Sequence, residues 1–341
     1  MLNFCTLFDS NYLSRGLAMY ESLREHCNDF HLYIFPFDDK CLEILLKLDL
    51  PSVTVVPLEK FEDEKLLAVK PSRTAVEYCW TCTPSIILYS MNKFALSNCT
   101  YIDADLYFYS DPSVLFGEFK DGSVIITKHR YTPYYDLSKL SGIYCVQFVA
   151  FKNDPKGMKV LNWWRDACLD WCYARTEEGK FGDQKYLDDW PERFEGVRDL
   201  ENLGGGTAPW NVQQYNIYSR NEKILGNEKK SGNEFGLVFY HFHSVRFFTD
   251  GSVLFGSHAI SRNVKRILYM PYIKSLEDAK VRVAAIDASF DPHGAGPRNW
   301  KIHIYNLKNA LTKNSEFIKN FYDLYNGYSN TYRLSSIVNN S

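Results

Sequence analysis

The 341-residue chain has no apolar run near the roughly 20 residues that a bilayer span requires. Its first residues, Met1-Leu2-Asn3-Phe4-Cys5, carry no basic stretch followed by an apolar one, so no secretory signal is expected. Neither sign of charge dominates. The 39 Lys and Arg stand against 41 Asp and Glu, a net charge of −2, which argues against broad nucleic-acid binding. Internal repeats and low-complexity tracts are missing, and 45% hydrophobic content excludes a mainly disordered chain. No Gly-rich, Lys-bearing loop opens the chain to cradle a phosphate. The nine cysteines are odd in number. Cys79-x-x-Cys82 and Cys168-x-x-x-Cys172 lack a supporting His and read as reduced core residues rather than as a zinc site. A cytoplasmic protein is the expectation.

What the chain has is aromatics, 16% of all residues, and a regular alternation of apolar runs with helical patterns. Residues 2–8, 31–37 and 53–57 read as strands. Leu13, Leu17, Tyr20 and Leu23 recur at helical spacing, and 41–48 and 74–92 read as helices. Tyr101-Ile102 is a further strand, with others at 123–127 and 144–151 and a Trp- and Cys-rich helix at 155–175. This β-α-β-α order predicts an α/β fold, a mostly parallel central sheet flanked by helices, with ligands beyond the carboxyl ends of its strands. From Ser261 to Ser341 the chain is basic, 12 Lys and Arg against 6 Asp and Glu. Lys308, Leu311, Phe317, Ile318, Phe321 and Leu324 suggest a helical extension, either capping the body or lying on an anionic membrane surface.

Four short features carry chemistry. Asp103-Ala104-Asp105 places two carboxylates at a strand end, where their repulsion and desolvation call for a cation. Asp9-Ser10-Asn11-Tyr12, at the end of the first strand, offers acceptors for a base or ribose and a ring to stack on; it is equally a plain helix cap. Gly182-Asp183-Gln184 suits hydrogen bonding to sugar hydroxyls. Tyr240-His241-Phe242-His243 ends a strand, and spacing two predicts that one imidazole faces the site. The loop Gly204-Gly205-Gly206 through Trp210 reads as a mobile sugar platform or a surface turn.

In this order and spacing the four features resemble GT-A-fold glycosyltransferases (the nucleotide-diphospho-sugar transferase fold), specifically the retaining family 8-like group of bacterial lipopolysaccharide and capsule enzymes, over residues 2–250. The resemblance implies metal-binding Asp103 and Asp105 with His241 as third ligand, and Mn²⁺ or Mg²⁺ as cofactor. It implies donor contacts from Thr6, Asp9, Asn11, Tyr12 and Ala104. Asp183 and Gln184 would stand beside the donor sugar. Gln147 lies where the family has Phe-Asn-x-Gly. Arg246 stands in for a diphosphate-binding Lys, and Lys70 and Arg73 are the cations nearest to a family Arg. The implied partners are a nucleotide-sugar donor, a UDP-hexose, and a saccharide or lipid-linked glycan acceptor. Residues 1–260 would form the catalytic domain, with a nucleotide-sugar half (1–110) and an acceptor half (111–260), and 261–341 the extension. An inactive sugar-nucleotide-binding module, or a nucleotidyltransferase or phosphohydrolase on a similar sheet, are the alternatives. Asp183 leaves stereochemistry open, because inversion needs a carboxylate base.

Overall fold

A computed structural model describes residues 1–298, 326 and 329–338 of the chain. Its centre is a seven-stranded sheet in the order β3-β2-β1-β4-β7-β6-β8. The strands are β1 (Leu2–Phe8), β2 (Phe30–Pro36), β3 (Val53–Val55), β4 (Asn98–Ile102), β6 (Val124–Lys128), β7 (Tyr144–Lys152) and β8 (Val197–Asp199). All run parallel except β7, which is antiparallel to both β4 and β6. The α/β reading and the mostly parallel sheet are therefore observed; the antiparallel β7 is the departure. Its consequence is positional. The carboxyl ends of β1, β4 and β6 and the amino end of β7 all reach one edge.

Both faces of the sheet are buried, which is why the strands read as continuous apolar runs rather than alternating ones. Side chains still alternate. Phe4 and Phe8 of β1 pack with Leu17, Leu23, Ile44 and Leu45, from helices Leu13–His26 and Asp39–Leu48. Cys5 and Leu7 face Ile86, Ile87, Leu161 and Trp164, from helices Ala75–Lys93 and Pro155–Asp170. The helix ends are chemically specified. Thr74 and Glu77 form a reciprocal capping box, and Asp38 and Asp154 each cap a helix with a carboxylate. All nine cysteines are unpaired, eight of them buried and Cys79 part-buried.

Past the sheet edge, β5 (Leu106–Phe108) pairs antiparallel with β12 (Phe239–His241), so the two ends of a long excursion meet in a ribbon. Between them lies a three-stranded meander, β9 (Tyr215–Arg220), β10 (Lys223–Glu228) and β11 (Glu234–Gly236), whose strands carry no clear apolar alternation. The described start of the extension packs on the body: helix Met270–Ala284 contributes Ala279 and Val283 to the cluster around helix Leu13–His26. β13 (Arg246–Phe247), β14 (Ser252–Leu254) and β15 (Thr331–Arg333) form a small sheet. The stretch expected to be amphipathic, Lys308 to Leu324, lies outside the described residues. Among the described residues no helix is long and apolar enough to cross a membrane.

Candidate active site

The last ladder bond of β4 runs from Asp103 N to Gln147 O, 3.0 Å. Beyond it the chain turns through Ala104 into β5, and Phe242 N donates to Asp105 O at 2.9 Å. Strand pairing thus carries Asp103, Asp105 and His241 to one place. His241 Nε2 lies 3.0 Å from Asp105 Oδ1 and 3.7 Å from Asp103 Oδ2. Its Nδ1 is 2.7 Å from Gln147 Oε1. The Tyr101 hydroxyl donates to Asp103 Oδ1 at 2.8 Å. Asp105, His241 and Gln147 are buried, and Gln147 Nε2 has no hydrogen-bond partner among the described residues.

Burial drives the electrostatics. It lifts the Asp103 carboxyl, to about 6, with Asp105 adding to the lift against the pull of His241. Burial acts on Asp105 too, but His241, and then His243 and Arg15, outweigh it and hold Asp105 at about 2. For His241 burial pulls downward, and Asp105 more than reverses that, so the imidazole stays protonated well above its ordinary range. Asp105 and His241 thus each favour the other's charged form, with Arg15 adding to the pull on Asp105.

Asp105, His241 and His243 present ligand atoms within 4.8 Å of one another, a group that can hold a metal ion. The expectation that only one imidazole faces the site is overturned. β12 ends at His241, and the chain turns through Ser244 at φ 68°, so strand alternation no longer applies by His243. The two imidazole centroids are 5.6 Å apart. Trp210 packs edge-on against both, at 5.3 and 5.7 Å. It is 6% exposed, and its Nε1 donates to His129 O at 2.9 Å. Trp210 is therefore a wall behind the imidazoles, neither a surface turn nor a mobile platform.

The Asp9 turn adjoins this cluster. Asp9 Oδ1 accepts from Asn11 N (3.1 Å) and Tyr12 N (3.2 Å), and Asp38 accepts from Ser10 N (2.8 Å). Tyr12 is 40% exposed, yet its hydroxyl lies among charges: burial and Asp105 raise it to about 12, while Arg15 and Arg246 pull it down. Thr6 is fully buried on β1, with no partner for its hydroxyl among the described residues. Asp183 is also buried. Burial first, then Asp103, push it up to about 7, while a Thr83 hydrogen bond partly offsets them. Gly182 before it has φ +53 and sits under the Trp80 ring, where a Cβ would come within 3.2 Å. Cys79 feels both Asp9 and Asp183, so those carboxylates approach the same part of helix Ala75–Lys93. Gln184 is part-buried, its amide donating to Ser141 O at 2.7 Å.

The predicted cations divide. Arg246, exposed at the start of β13, acts on Tyr12 and His243. Lys70 is bound to Glu62 at 2.6 Å, and Arg73 lies over the Tyr173 ring at 3.9 Å and donates to Leu169 O. Arg15 was missed. Its guanidinium, 4% exposed, donates to Asn11 O, His293 O and Val245 O and faces Asp105. Only its helical spacing from Tyr12 hinted at this.

No protein-family model matches the chain. Among solved structures it is similar to the galactosyltransferase LgtC in complex with donor and acceptor sugar analogues: TM-score 0.47, 8% identity, 81% of this chain and 96% of that one. It is similar to mouse xyloside xylosyltransferase 1 at TM-score 0.44 and 11% identity, covering 71% of this chain and 98% of that one. In sequence it is 34% identical to the uncharacterized protein YfnF of Bacillus subtilis strain 168 over 251 residues, 71% of this chain and 81% of YfnF. It is 33% identical over 284 residues to the uncharacterized protein YfnD of the same organism, 81% of this chain and 88% of YfnD. With that identity sustained across most of both sequences, the chain belongs to the family of YfnD and YfnF.

Proposed function

We propose that the chain is a metal-dependent glycosyltransferase of GT-A type. It moves a hexose from a UDP-sugar to a saccharide or lipid-linked glycan, with retention. The observation that carries this reading is the meeting of Asp103, Asp105 and His241 with the Asp9–Tyr12 turn and Asp183 at one sheet edge.

The donor set fits a divalent ion. Carboxylate oxygens with an imidazole suit Mn²⁺ or Mg²⁺, and the imidazole favours Mn²⁺. Gln147 accepts from His241 Nδ1–H, which leaves Nε2 as the ligating nitrogen. A cation bound there supplies positive charge against the charge that grows on a leaving diphosphate. Arg246 adds a charge-assisted contact to the same group. Asp9, Asn11 and Tyr12 hold base and ribose, with Thr6 beneath them and Ala104 between the two ligating carboxylates. Asp183 orients sugar hydroxyls, and Gln184 reaches them only by releasing Ser141 O. Lys70 and Arg73 reach the donor only by leaving Glu62 and Tyr173.

A second reading concerns stereochemistry. A carboxyl raised to about 7 is poised as a general base, so Asp183 favours inversion if it meets the acceptor hydroxyl. A panel of sugar nucleotides with Mn²⁺ tests both readings. Release of nucleoside diphosphate identifies the donor, and NMR of the product anomeric proton separates retention from inversion. No turnover with any donor would favour the inactive binding module. For 261–341, vesicle sedimentation of the chain with and without residues 300–341 tests the membrane contact, and lipid-independent behaviour removes it.

A further inference from the structure

The stretch Asp291–Gly296 bridges the end of β13 at Gly296 and is bound to the candidate donor turn by side chain and backbone. His293 is 2% exposed. Its ring stacks on Phe247 of β13 with centroids 4.0 Å apart and planes at 7°. Nε2 lies 2.7 Å from Glu277 Oε1, on helix Met270–Ala284. Nδ1 lies 2.9 Å from Ser14 Oγ, on helix Leu13–His26. In the neutral ring Nε2–H donates to Glu277, and Nδ1 accepts from the Ser14 hydroxyl. The backbone repeats the link. Ser14 N donates to Pro292 O at 3.1 Å, and Arg15 Nη1 donates to His293 O at 3.1 Å. Gly294 presses on Asn11. At φ +61, a Cβ there would fall 2.7 Å from Asn11 Cβ and 2.8 Å from Asn11 O.

The order Ser14–His293–Glu277 has the connectivity of a nucleophilic triad, but Ser14 is fully buried and cannot meet a substrate. Its other product is position. Asn11 and Tyr12 are exposed, and on their outer side the Asp9 cap and the Ser10–Asp38 bond hold the turn. On the inner side the 291–296 stretch supplies the restraint. Arg15 extends it, because the same guanidinium that binds His293 O and Asn11 O also binds Val245 O, beside Arg246.

We propose that His293 is a positioning residue for a nucleoside diphosphate. It fixes the Asp9–Arg15 turn and, through Arg15, the Val245–Phe247 segment, so the ordering is complete before the ligand arrives. This rests on the donor-site reading above.

The test uses the full chain as His293→Ala and Ser14→Ala, with UDP and Mn²⁺ as the calorimetric probe and hydrogen exchange on the metal-free protein. His293→Ala is expected to weaken UDP binding tenfold or more, with millimolar imidazole restoring part of the loss. Exchange at residues 11–17 is expected to accelerate tenfold or more, while the β4–β7 ladder stays protected. Exchange that is unchanged at 11–17, or faster everywhere, overturns the proposal, since a residue that only fills the core loosens the whole body. UDP binding equal to that of the parent chain overturns it too. Ser14→Ala keeps the ring and decides the question should His293→Ala fail to fold. If the parent chain itself binds no UDP with Mn²⁺, the donor-site reading falls, and the exchange arm alone judges the positioning.

Discussion

The Nδ1 atom of His241 lies 2.7 Å from Oε1 of Gln147, so a fully buried amide on β7 sets which imidazole nitrogen faces the carboxylates. Second-contact groups of this kind commonly govern metal affinity by one to two orders of magnitude. Gln147→Leu is therefore expected to weaken Mn²⁺ binding about 10- to 100-fold, with the melting temperature little changed, as read by calorimetry and circular dichroism. Unaltered affinity would show that His241 does not ligate through Nε2.

Asp105→Asn tests the cation requirement directly. Asp105 faces His241, His243 and Arg15 and is the carboxylate held ionised, at about 2. The variant is expected to keep its fold and lose metal-dependent turnover of the donor found by the panel. Turnover equal to that of the parent chain, with the same Mn²⁺ dependence, would remove Asp105 from the ligand set.

Mn²⁺ affinity is expected to rise with pH. Asp105 keeps His241 protonated well above its ordinary range, and the metal and that proton compete for Nε2. Binding near neutral pH should release about one proton. Calorimetry in two buffers of different ionisation enthalpy measures it, and equal apparent enthalpies in both would refute the competition.

Asp183 gives a stability prediction of opposite sign to the usual carboxylate. Burial and Asp103 place its folded value at about 7, above the unfolded value. Its favourable contribution is complete below the unfolded value and is lost as pH rises through about 7. Asp183→Asn should therefore be more stable than the parent at pH 8 in the absence of metal, by up to about 4 kcal/mol, and so melt at a higher temperature. The two should converge near pH 4, and thermal melts at both pH values decide it. Equal melting at pH 8 would mean that the carboxyl is solvated.

Much of the site was legible because strand ends and turns have local chemistry. An apolar strand followed by Asp-x-Asp, and a strand followed by Asp-Ser-Asn-Tyr, announce themselves within a few residues. The rest depended on where distant segments meet. His243 joins Asp105 and His241 because β12 stops at His241, a boundary that an aromatic-rich run conceals. Trp210 reads as exposed beside three glycines, yet those glycines let the loop lie close to its neighbours; at Gly204 a Cβ would fall 2.0 Å from Gly236 O. Arg15 looks like any helix-surface cation until three carbonyls from three segments converge on it. The antiparallel β7 has the same apolar composition as its parallel neighbours, so composition carried no sign of its direction.

The ribbon of β5 and β12 has a consequence for how this family can vary. Asp105 and His241 sit at its paired ends, so their separation is set by three residue pairs, Leu106 with His241 through Phe108 with Phe239. The β9–β11 meander is threaded between Phe108 and Phe239, behind this closed clasp. Insertions, deletions or drift in the β9–β11 meander can reshape the neighbouring surface without changing the spacing of Asp105 and His241. Relatives are expected to diverge most there, and to keep the ribbon register in step with the Asp-x-Asp turn.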